Sequence, residues 1–155
     1  MENGELKMND ILLNKAATYA SRCEHCESEV RGKLLDWGGT CEETDEIIAY
    51  LIEERYIDNQ RYANSYAKDK FRFNHWGKYK ISMMLRSKNI ESEFIEEALN
   101  QIDNEEYLEK LQQILRDKLR SLKYSSEYEK KGKLFKFAQS RGFESSAISK
   151  VIDLI

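Results

Sequence analysis

Proline is absent from this 155-residue chain, although average usage would supply roughly one proline in every twenty residues. No segment is therefore interrupted by a residue that lacks a backbone donor and fixes its own backbone angle. Sustained alternation of polar residues with Val, Ile or Thr is also missing, and that alternation is typical of a half-buried strand. Together the two absences predict an all-α fold whose turns depend on Gly, Asn, Asp and Ser.

Long apolar runs and paired cysteines are scarce as well. No run approaches the roughly 18–20 apolar residues of a membrane span. The first residues, Met-Glu-Asn-Gly-Glu, lack the basic-then-apolar pattern of a signal peptide. The 3 cysteines are an odd number, which favours reduced thiols over a disulfide framework. With no coiled-coil seam in the sequence either, we expect a cytoplasmic monomer that has no membrane partner.

Motifs that carry chemistry are few. The segment Cys23-Glu24-His25-Cys26 contains one half of a zinc site, but Cys41 and His75 do not supply a second half with ligand spacing. The 7 glycines are scattered, so there is no phosphate-binding Gly-rich loop. Glutamate pairs such as Glu53-Glu54 lie beside apolar residues, as on a solvated helix face. We therefore expect no enzymatic activity, no metal and no cofactor.

Charged residues are abundant, and they are segregated along the chain. The net charge is only −3. Residues 61–90 nevertheless hold 8 basic and 1 acidic side chain, and residues 110–141 hold 10 and 3. The segments before and between these two basic blocks are acidic. Such blocks indicate either solvated helix faces of alternating sign or surfaces for an anionic partner.

Apolar and small residues recur at helical spacing in nine segments, arranged in threes with short loops. The arrangement predicts three tandem three-helix repeats over residues 9–57, 58–103 and 104–155, after an N-terminal tail at 1–8. The predicted helices are Asn9–Cys23, Glu27–Asp36, Glu43–Arg55, Asn59–Arg72, Lys78–Lys88, Ser92–Gln101, Asn104–Leu122, Glu127–Arg141 and Ser145–Leu154.

The repeat has a period of 51 residues and then of 53. Each unit is too small to bury much apolar surface alone, which is usual in repeat arrays. Gly38, Asn89 and Gly142 occupy one turn slot, where a helix C-cap favours a positive φ. The apolar positions that align are Val30, Leu34, Ile47, Ile48 and Leu51, then Ile81, Leu85, Ala98, Leu99 and Ile102, then Leu134, Ala138, Val151, Ile152 and Ile155.

The segment from Tyr56 to Ile81 has the clearest boundaries. Asp58 is a good N-cap for the helix that begins at Asn59, because its carboxylate can accept the free N–H groups of the first turn. Gly77 then separates this helix from the next one.

Trp37 is the unusual residue of the first repeat, because Lys88 and Arg141 fill its slot in the other two. A slot that is basic twice suggests an exposed position, at which a tryptophan would be an anchor for a partner. The alternative, which we favour, is that Trp37 packs against the first helix between Leu12 and Tyr19.

A composite motif joins the first and middle repeats, and it consists of Glu53-Glu54-Arg55-Tyr56-Ile57-Asp58-Asn59-Gln60-Arg61-Tyr62-Ala63, then Tyr66, Gly77 and Ile81 to Leu85. Related segments elsewhere are Val30-Arg31-Gly32-Lys33-Leu34-Leu35, Lys133-Leu134-Phe135-Lys136-Phe137-Ala138 and Arg141-Gly142-Phe143. On these residues the chain resembles the RecX family, the bacterial regulators of the RecA recombinase, over roughly residues 10–155.

The resemblance implies an elongated, curved molecule made of three-helix repeats. It also implies a non-enzymatic regulator whose partner is the RecA filament on DNA. Such a regulator would bind in the helical groove of that filament and inhibit strand exchange, ATP turnover and coprotease activity. Single-stranded DNA, bound more weakly, is the expected second partner, with duplex DNA as a further option.

The two basic blocks supply the expected contact surface, because cations can follow phosphates while aromatic rings stack on bases. Three other interpretations remain open from the residues: a helical protein that binds DNA by itself, an α-helical scaffold for an unrelated partner, and a merely solvated face. The residues of the expected surface are Lys68, Lys70, Arg72, Trp76, Lys78, Lys80, Arg86, Lys88, Lys130, Lys131, Lys133 and Lys136.

Overall fold

The computed structural model describes residues 9–155, so the predicted tail at 1–8 lies outside the described residues. Within this range there are nine α-helices and no strand, which confirms the predicted all-α class. The helices are α1 Asp10–Arg22, α2 Glu27–Asp36, α3 Cys41–Glu53, α4 Asn59–Arg72, α5 Lys78–Ser87, α6 Ser92–Asn100, α7 Asn104–Leu119, α8 Glu127–Ser140 and α9 Ser145–Val151, followed by a 3₁₀ turn at Ile152–Leu154.

Helix-to-helix packing occurs in groups of three. Helices α1, α2 and α3 pack on one another, as do α4, α5 and α6, and as do α7, α8 and α9. The chain is therefore an array of tandem three-helix units, and we refer to them as the first, middle and third unit.

Side-chain caps fix where several helices begin. The Asp58 carboxylate accepts the N–H of Arg61 at 3.0 Å and confirms the predicted cap of α4. Helix α3 begins at Cys41, two residues before the predicted start, because Thr40 caps it. It ends at Glu53 rather than at Arg55, whose φ of 64° is incompatible with a right-handed helix.

The shared turn slot behaves as predicted. Gly38, Asn89 and Gly142 have φ values of 93°, 62° and 93°. The residues that follow Asn89 and Gly142 are Ile90 and Phe143, and both are buried. The slot thus ends the second helix of each unit and turns the chain back toward its core.

Most of the aligned apolar positions are buried, and Leu99, Ile102, Ile152 and Ile155 are partly buried and pack against the core. Leu34, Leu85 and Ala138 are each 0% exposed, which confirms the alignment of the three units. Most buried residues of the first unit form a core of their own, whereas Cys26 joins the continuous core of the middle and third units. The link between them is Tyr107, whose ring lies 5.6 Å from that of Phe71 and 5.1 Å from that of Phe143.

Trp37 packs against α1, as the sequence favoured. Its ring meets Tyr19 edge-on at 6.2 Å, and the Lys15 ammonium lies 5.2 Å from the ring centroid. The tryptophan is half-buried there and belongs to the core of the first unit.

In the part of the chain that the structure describes, none of the helices combines the length and the apolar composition that crossing a bilayer requires.

Candidate binding surface

The turn between α4 and α5 builds the centre of the predicted basic surface. His75 adopts a left-handed φ of 58°, and the N–H of Trp76 donates to the carbonyl of Lys70 at 3.0 Å. The chain therefore folds back along the end of α4. This geometry places the Trp76 indole beside side chains of α4 and of the first turn of α5.

Three side chains surround this indole. The Lys80 and Lys70 ammonium groups lie 4.5 Å and 5.0 Å from the ring centroid of Trp76. Lys70 also lies 5.3 Å from the ring centroid of Tyr66, and the two rings are 6.4 Å apart. We call Tyr66, Lys70, Trp76 and Lys80 the Trp76 cluster. It presents cations and aromatic rings side by side, which suits phosphate contacts and base stacking.

Lys78 belongs to the boundary with the third unit. Its backbone N–H donates to the Tyr107 hydroxyl at 2.8 Å, and its ammonium group lies 4.9 Å from the Tyr107 ring centroid. The hydroxyl donates in turn to Glu144. Burial and this bond to Glu144 raise the pKa of Tyr107 well above its ordinary value, so the phenol remains protonated. Nearby, Arg72 pairs with Glu106 at 3.5 Å.

Lys88 lies at the opposite boundary, toward the first unit. Its ammonium group is 3.0 Å from Glu29, which also contacts His25. Burial by itself raises the pKa of Glu29, but bonds from Lys88, His25 and the Cys26 N–H outweigh it and lower that pKa. Lys88 is therefore engaged between two units.

The predicted cations of the third unit are mostly paired within the chain. Lys130 lies 3.3 Å from Glu127, Lys131 lies 2.7 Å from Asp153, and Lys133 lies 2.9 Å from Glu129. The structure does not bring them together with the Trp76 cluster. Three further predicted side chains are exposed and form no ion pair with residues 9–155: Lys68, Arg86 and Lys136.

Sequence reasoning missed a cavity of about 280 Å³ between the middle and third units. The chain brings its residues together from the α4–α5 turn, from α7 and from the end of α8. We call it the basic pocket, and its lining includes His75, Lys110, Lys118, Phe137 and Arg141. The high basic content of residues 110–141 was the available signal, but spacing alone did not select these members.

The boundary between the first and middle units carries a cavity of the opposite sign. Its volume is about 480 Å³, and Arg55 is the basic residue at its edge. We call it the acidic pocket, and the carboxylates that line it are Glu27, Glu53, Asp58 and Glu91.

Within residues 9–155, the cysteine-histidine segment is not joined by enough His, Cys, Asp or Glu side chains to make a group of three suited to a metal ion. Cys23 Sγ lies 3.3 Å from His25 Nε2, and His25 Nδ1 lies 3.1 Å from Glu29. The imidazole stacks on Tyr19 at 3.8 Å. These contacts hold the segment between α1 and α2 against Tyr19 of α1 and Glu29 of α2.

Two family models match this chain. They describe the second three-helix domain of RecX, matched at residues 58–99, and the third three-helix domain of RecX, matched at residues 105–152. A regulatory protein RecX from Prosthecochloris aestuarii is 30% identical over 141 residues, covering 91% of both chains. This chain belongs to the RecX family. The resemblance proposed from the motifs is confirmed.

Other RecX proteins extend the comparison. Regulatory protein RecX from Clostridium botulinum, strain Eklund 17B, is 32% identical over 128 residues, which cover 81% of this chain and 59% of that relative. The crystal structure of RecX from Lactobacillus salivarius superposes with a TM-score of 0.86 at 25% identity, covering 94% of this chain and 97% of that one. The tandem three-helix architecture is thus that of RecX structures.

Proposed function

We propose that this protein is a non-catalytic cytoplasmic regulator that binds RecA filaments on DNA and inhibits strand exchange, ATP turnover and coprotease activity. The observation that carries the proposal is membership of the RecX family, whose relatives are named regulatory proteins. No chemical step is required of such a protein. A ligand that favours one state of a filament shifts its population toward that state.

The Trp76 cluster is the proposed centre of the contact surface. Lys70 and Lys80 are held near an aromatic ring and not by a carboxylate of residues 9–155. A cation–π contact at an exposed site contributes only about 0.5–1 kcal/mol. The two ammonium groups therefore remain available to phosphates or to an acidic face of the recombinase.

The test is a pulldown of RecA assembled on single-stranded DNA, with and without nucleotide. We expect the wild-type monomer to bind the filament, and to bind more weakly to the bare DNA. The discriminating variant carries Lys70→Ala, Arg72→Ala, Lys78→Ala and Lys80→Ala. It should keep its helicity, and its filament affinity should fall about tenfold or more, because several counterion-releasing contacts disappear.

A matched variant removes the same number of cations from the third unit. It carries Ala at Lys130, Lys131, Lys133 and Lys136, of which three are already ion-paired in the free protein. We expect a smaller reduction of filament binding from this variant. If the middle-unit variant still inhibits strand exchange at the original concentration, the Trp76 cluster is not the contact surface and the third unit takes its place.

A second candidate function is DNA binding without a recombinase, which the interleaved cations and rings of the Trp76 cluster favour. Single-strand binding of that kind should collapse with added salt and should not depend on RecA. Failure to bind both the filament and the bare strand would favour a scaffold for another protein.

A further inference from the structure

The basic pocket is the feature that the family comparison leaves without a role. It lies between the middle and third units, where their cores are continuous. Helix α7 supplies Lys110 and Lys118, and α8 with its C-cap supplies Phe137 and Arg141. Because α7 and α8 pack in the shared core, packed helices carry most of the pocket lining, and His75 comes from the α4–α5 turn.

Positive charge in this pocket is not neutralised from within. Lys110, Lys118 and Arg141 form no ion pair with a carboxylate of residues 9–155. Asp117 also borders the cavity, but its carboxylate lies 3.2 Å from Arg120. Three cations against one engaged carboxylate leave an excess of positive charge that favours an anion.

An aromatic ring holds two of these cations in place. The Lys118 ammonium lies 4.9 Å from the Phe137 ring centroid, and the Arg141 guanidinium carbon lies 5.4 Å from it. Phe137 is half-buried and packs against the shared core, so the ring is itself held in position. Cations placed by a ring rather than by a carboxylate keep their hydrogen-bond donors free for a ligand.

His75 responds to the same positive field. Loss of water around the imidazole lowers its pKa, and the charges of Lys110 and Arg141 lower it further, while Asp117 acts in the opposite direction. In the free protein the imidazole is therefore neutral near pH 7. An anion in the pocket would offset the positive field and favour the protonated form.

We propose that the basic pocket binds a backbone phosphate of single-stranded nucleic acid. A guanidinium fork, two ammonium groups and an imidazole offer donors from the α4–α5 turn, from α7 and from the end of α8, which suits a phosphate with several acceptor oxygens. Trp76, which follows His75 of the pocket directly in the chain, belongs to the Trp76 cluster, the proposed contact surface for the same strand. That aromatic neighbour favours a nucleic acid over an acidic peptide. The inference deepens and rests on the proposed function, because it names a DNA contact of the filament regulator.

The test measures binding of a fluorescein-labelled single-stranded oligodeoxythymidine by anisotropy, without recombinase and at several salt concentrations. The variant carries Lys110→Gln, Lys118→Gln and Arg141→Gln. We expect its affinity to fall about tenfold or more. The salt slope should flatten by about 0.7 for each phosphate that the variant no longer neutralises.

The matched control removes three exposed cations that do not line the pocket, by Lys15→Gln, Lys123→Gln and Lys150→Gln. It has the same net charge as the pocket variant and should bind almost as the wild type does. Equal reductions in the two variants would overturn the pocket as a site, since only total charge would then matter. If polyglutamate displaces the oligonucleotide at equal concentration, the site is one for acidic peptides and the proposal fails.

Two single changes keep the proposal testable if the triple variant folds poorly. Phe137→Leu keeps every charge but removes the ring, and it should weaken binding severalfold. His75→Asn suits the left-handed backbone, which asparagine tolerates well. Wild-type affinity should rise from about pH 8 to about pH 6 as the bound state takes up a proton, and this rise should vanish in His75→Asn.

Unchanged affinity in Phe137→Leu together with an unchanged pH response in His75→Asn would also overturn the proposal. Because the probe contains no recombinase, failure of filament binding would leave these results standing. Conversely, failure here would not remove the filament interaction.

Discussion

The two boundaries between units use equivalent positions but different chemistry. At the first boundary, the Ser28 hydroxyl donates to the carbonyl of Lys88 at 2.7 Å. At the second, the backbone N–H of Gly77 donates to the carbonyl of Arg141 at 2.8 Å. Lys88 and Arg141 are the same position of the repeat, at the C-cap of the second helix. A side-chain hydroxyl donates across the first boundary, whereas a backbone N–H donates across the second.

A missing side chain explains the difference. Gly77 corresponds to Cys26, and both are N-caps of the second helix in their units. A Cβ atom on Gly77 would overlap the backbone of Gly142 and Phe143. Cysteine at the equivalent position therefore excludes such a close approach at the first boundary. Gly77 thus permits a backbone-to-backbone approach at the second boundary that Cys26 does not permit at the first.

At both boundaries, nevertheless, a free backbone N–H at the start of the second helix finds its acceptor in the same way. The N–H of Glu27 donates to Asn59, which donates to Glu91 at 3.0 Å. The N–H of Lys78 donates to Tyr107, which donates to Glu144. In each case a side chain of the next unit's first helix links a helix start to the glutamate that precedes that unit's third helix.

Substitutions in the core of the first unit and in the shared core of the middle and third units should destabilise the protein most. Leu85→Ala and Leu34→Ala should each cost about 2–5 kcal/mol, because both side chains are fully buried. Leu85→Ala should expose amides of the middle and third units together in hydrogen exchange, since they share a core. Leu34→Ala should affect the first unit alone. Uniform exchange across all three units in either variant would contradict separate cores.

Gly77→Ala should break the second boundary at a cost of about 1–3 kcal/mol, the usual range for overpacking. The control is Gly132→Ala in α8, where an added Cβ would meet nothing within 4 Å. Alanine there should stabilise the helix by about 0.5–1 kcal/mol. Urea denaturation measures both changes. A Gly77→Ala protein as stable as the wild type would show that the close approach is dispensable.

The caps that precede the two boundaries should behave alike, because capping is local. Asp58 caps α4, and Asp103 caps α7 by accepting the N–H of Glu106 at 2.9 Å. Asp58→Ala and Asp103→Ala should each cost about 0.5–2 kcal/mol in thermal melts. If only one of the two substitutions destabilises the protein, that carboxylate stabilises the boundary between units and not merely the helix that it caps.

A still smaller change in stability should depend on pH. The pKa of Glu29 is lowered in the folded protein, so its stabilising contribution is present above the ordinary value of 4.5. That contribution is lost as the pH falls through the lower, folded value. Melting temperatures of the wild type and of Glu29→Gln should therefore converge in acid. Glu109→Gln, at an exposed position, should show no such convergence.

Local features of this fold were predictable from the sequence, and contacts between distant segments were not. The Asp58 cap and the positive φ of Asn89 depend on neighbours within a few residues, so residue type indicates them directly. Tyr107 gave no such signal, since its partners Lys78 and Glu144 come from other helices. Composition also could not separate free cations from those that the fold pairs internally.

The candidate surface illustrates the same limit. Lys70, Trp76 and Lys80 are close in sequence and could be predicted as a group, whereas Tyr66, the fourth member of the Trp76 cluster, was not among the predicted contact residues. The basic pocket forms only where the α4–α5 turn, α7 and α8 come together. No periodicity in the sequence predicts that these elements are in contact. Lys131 lies in an equally basic segment, yet it is paired with Asp153, 22 residues further along the chain.

The acidic and basic pockets make the charge distribution of the molecule asymmetric. Carboxylates line the cavity at the boundary of the first and middle units, and cations line the cavity at the boundary of the middle and third units. The former would repel a polyanion and the latter would attract it, so the protein would approach a nucleic-acid strand with a preferred orientation. Copies bound to one strand would then each present the boundary of the middle and third units to it.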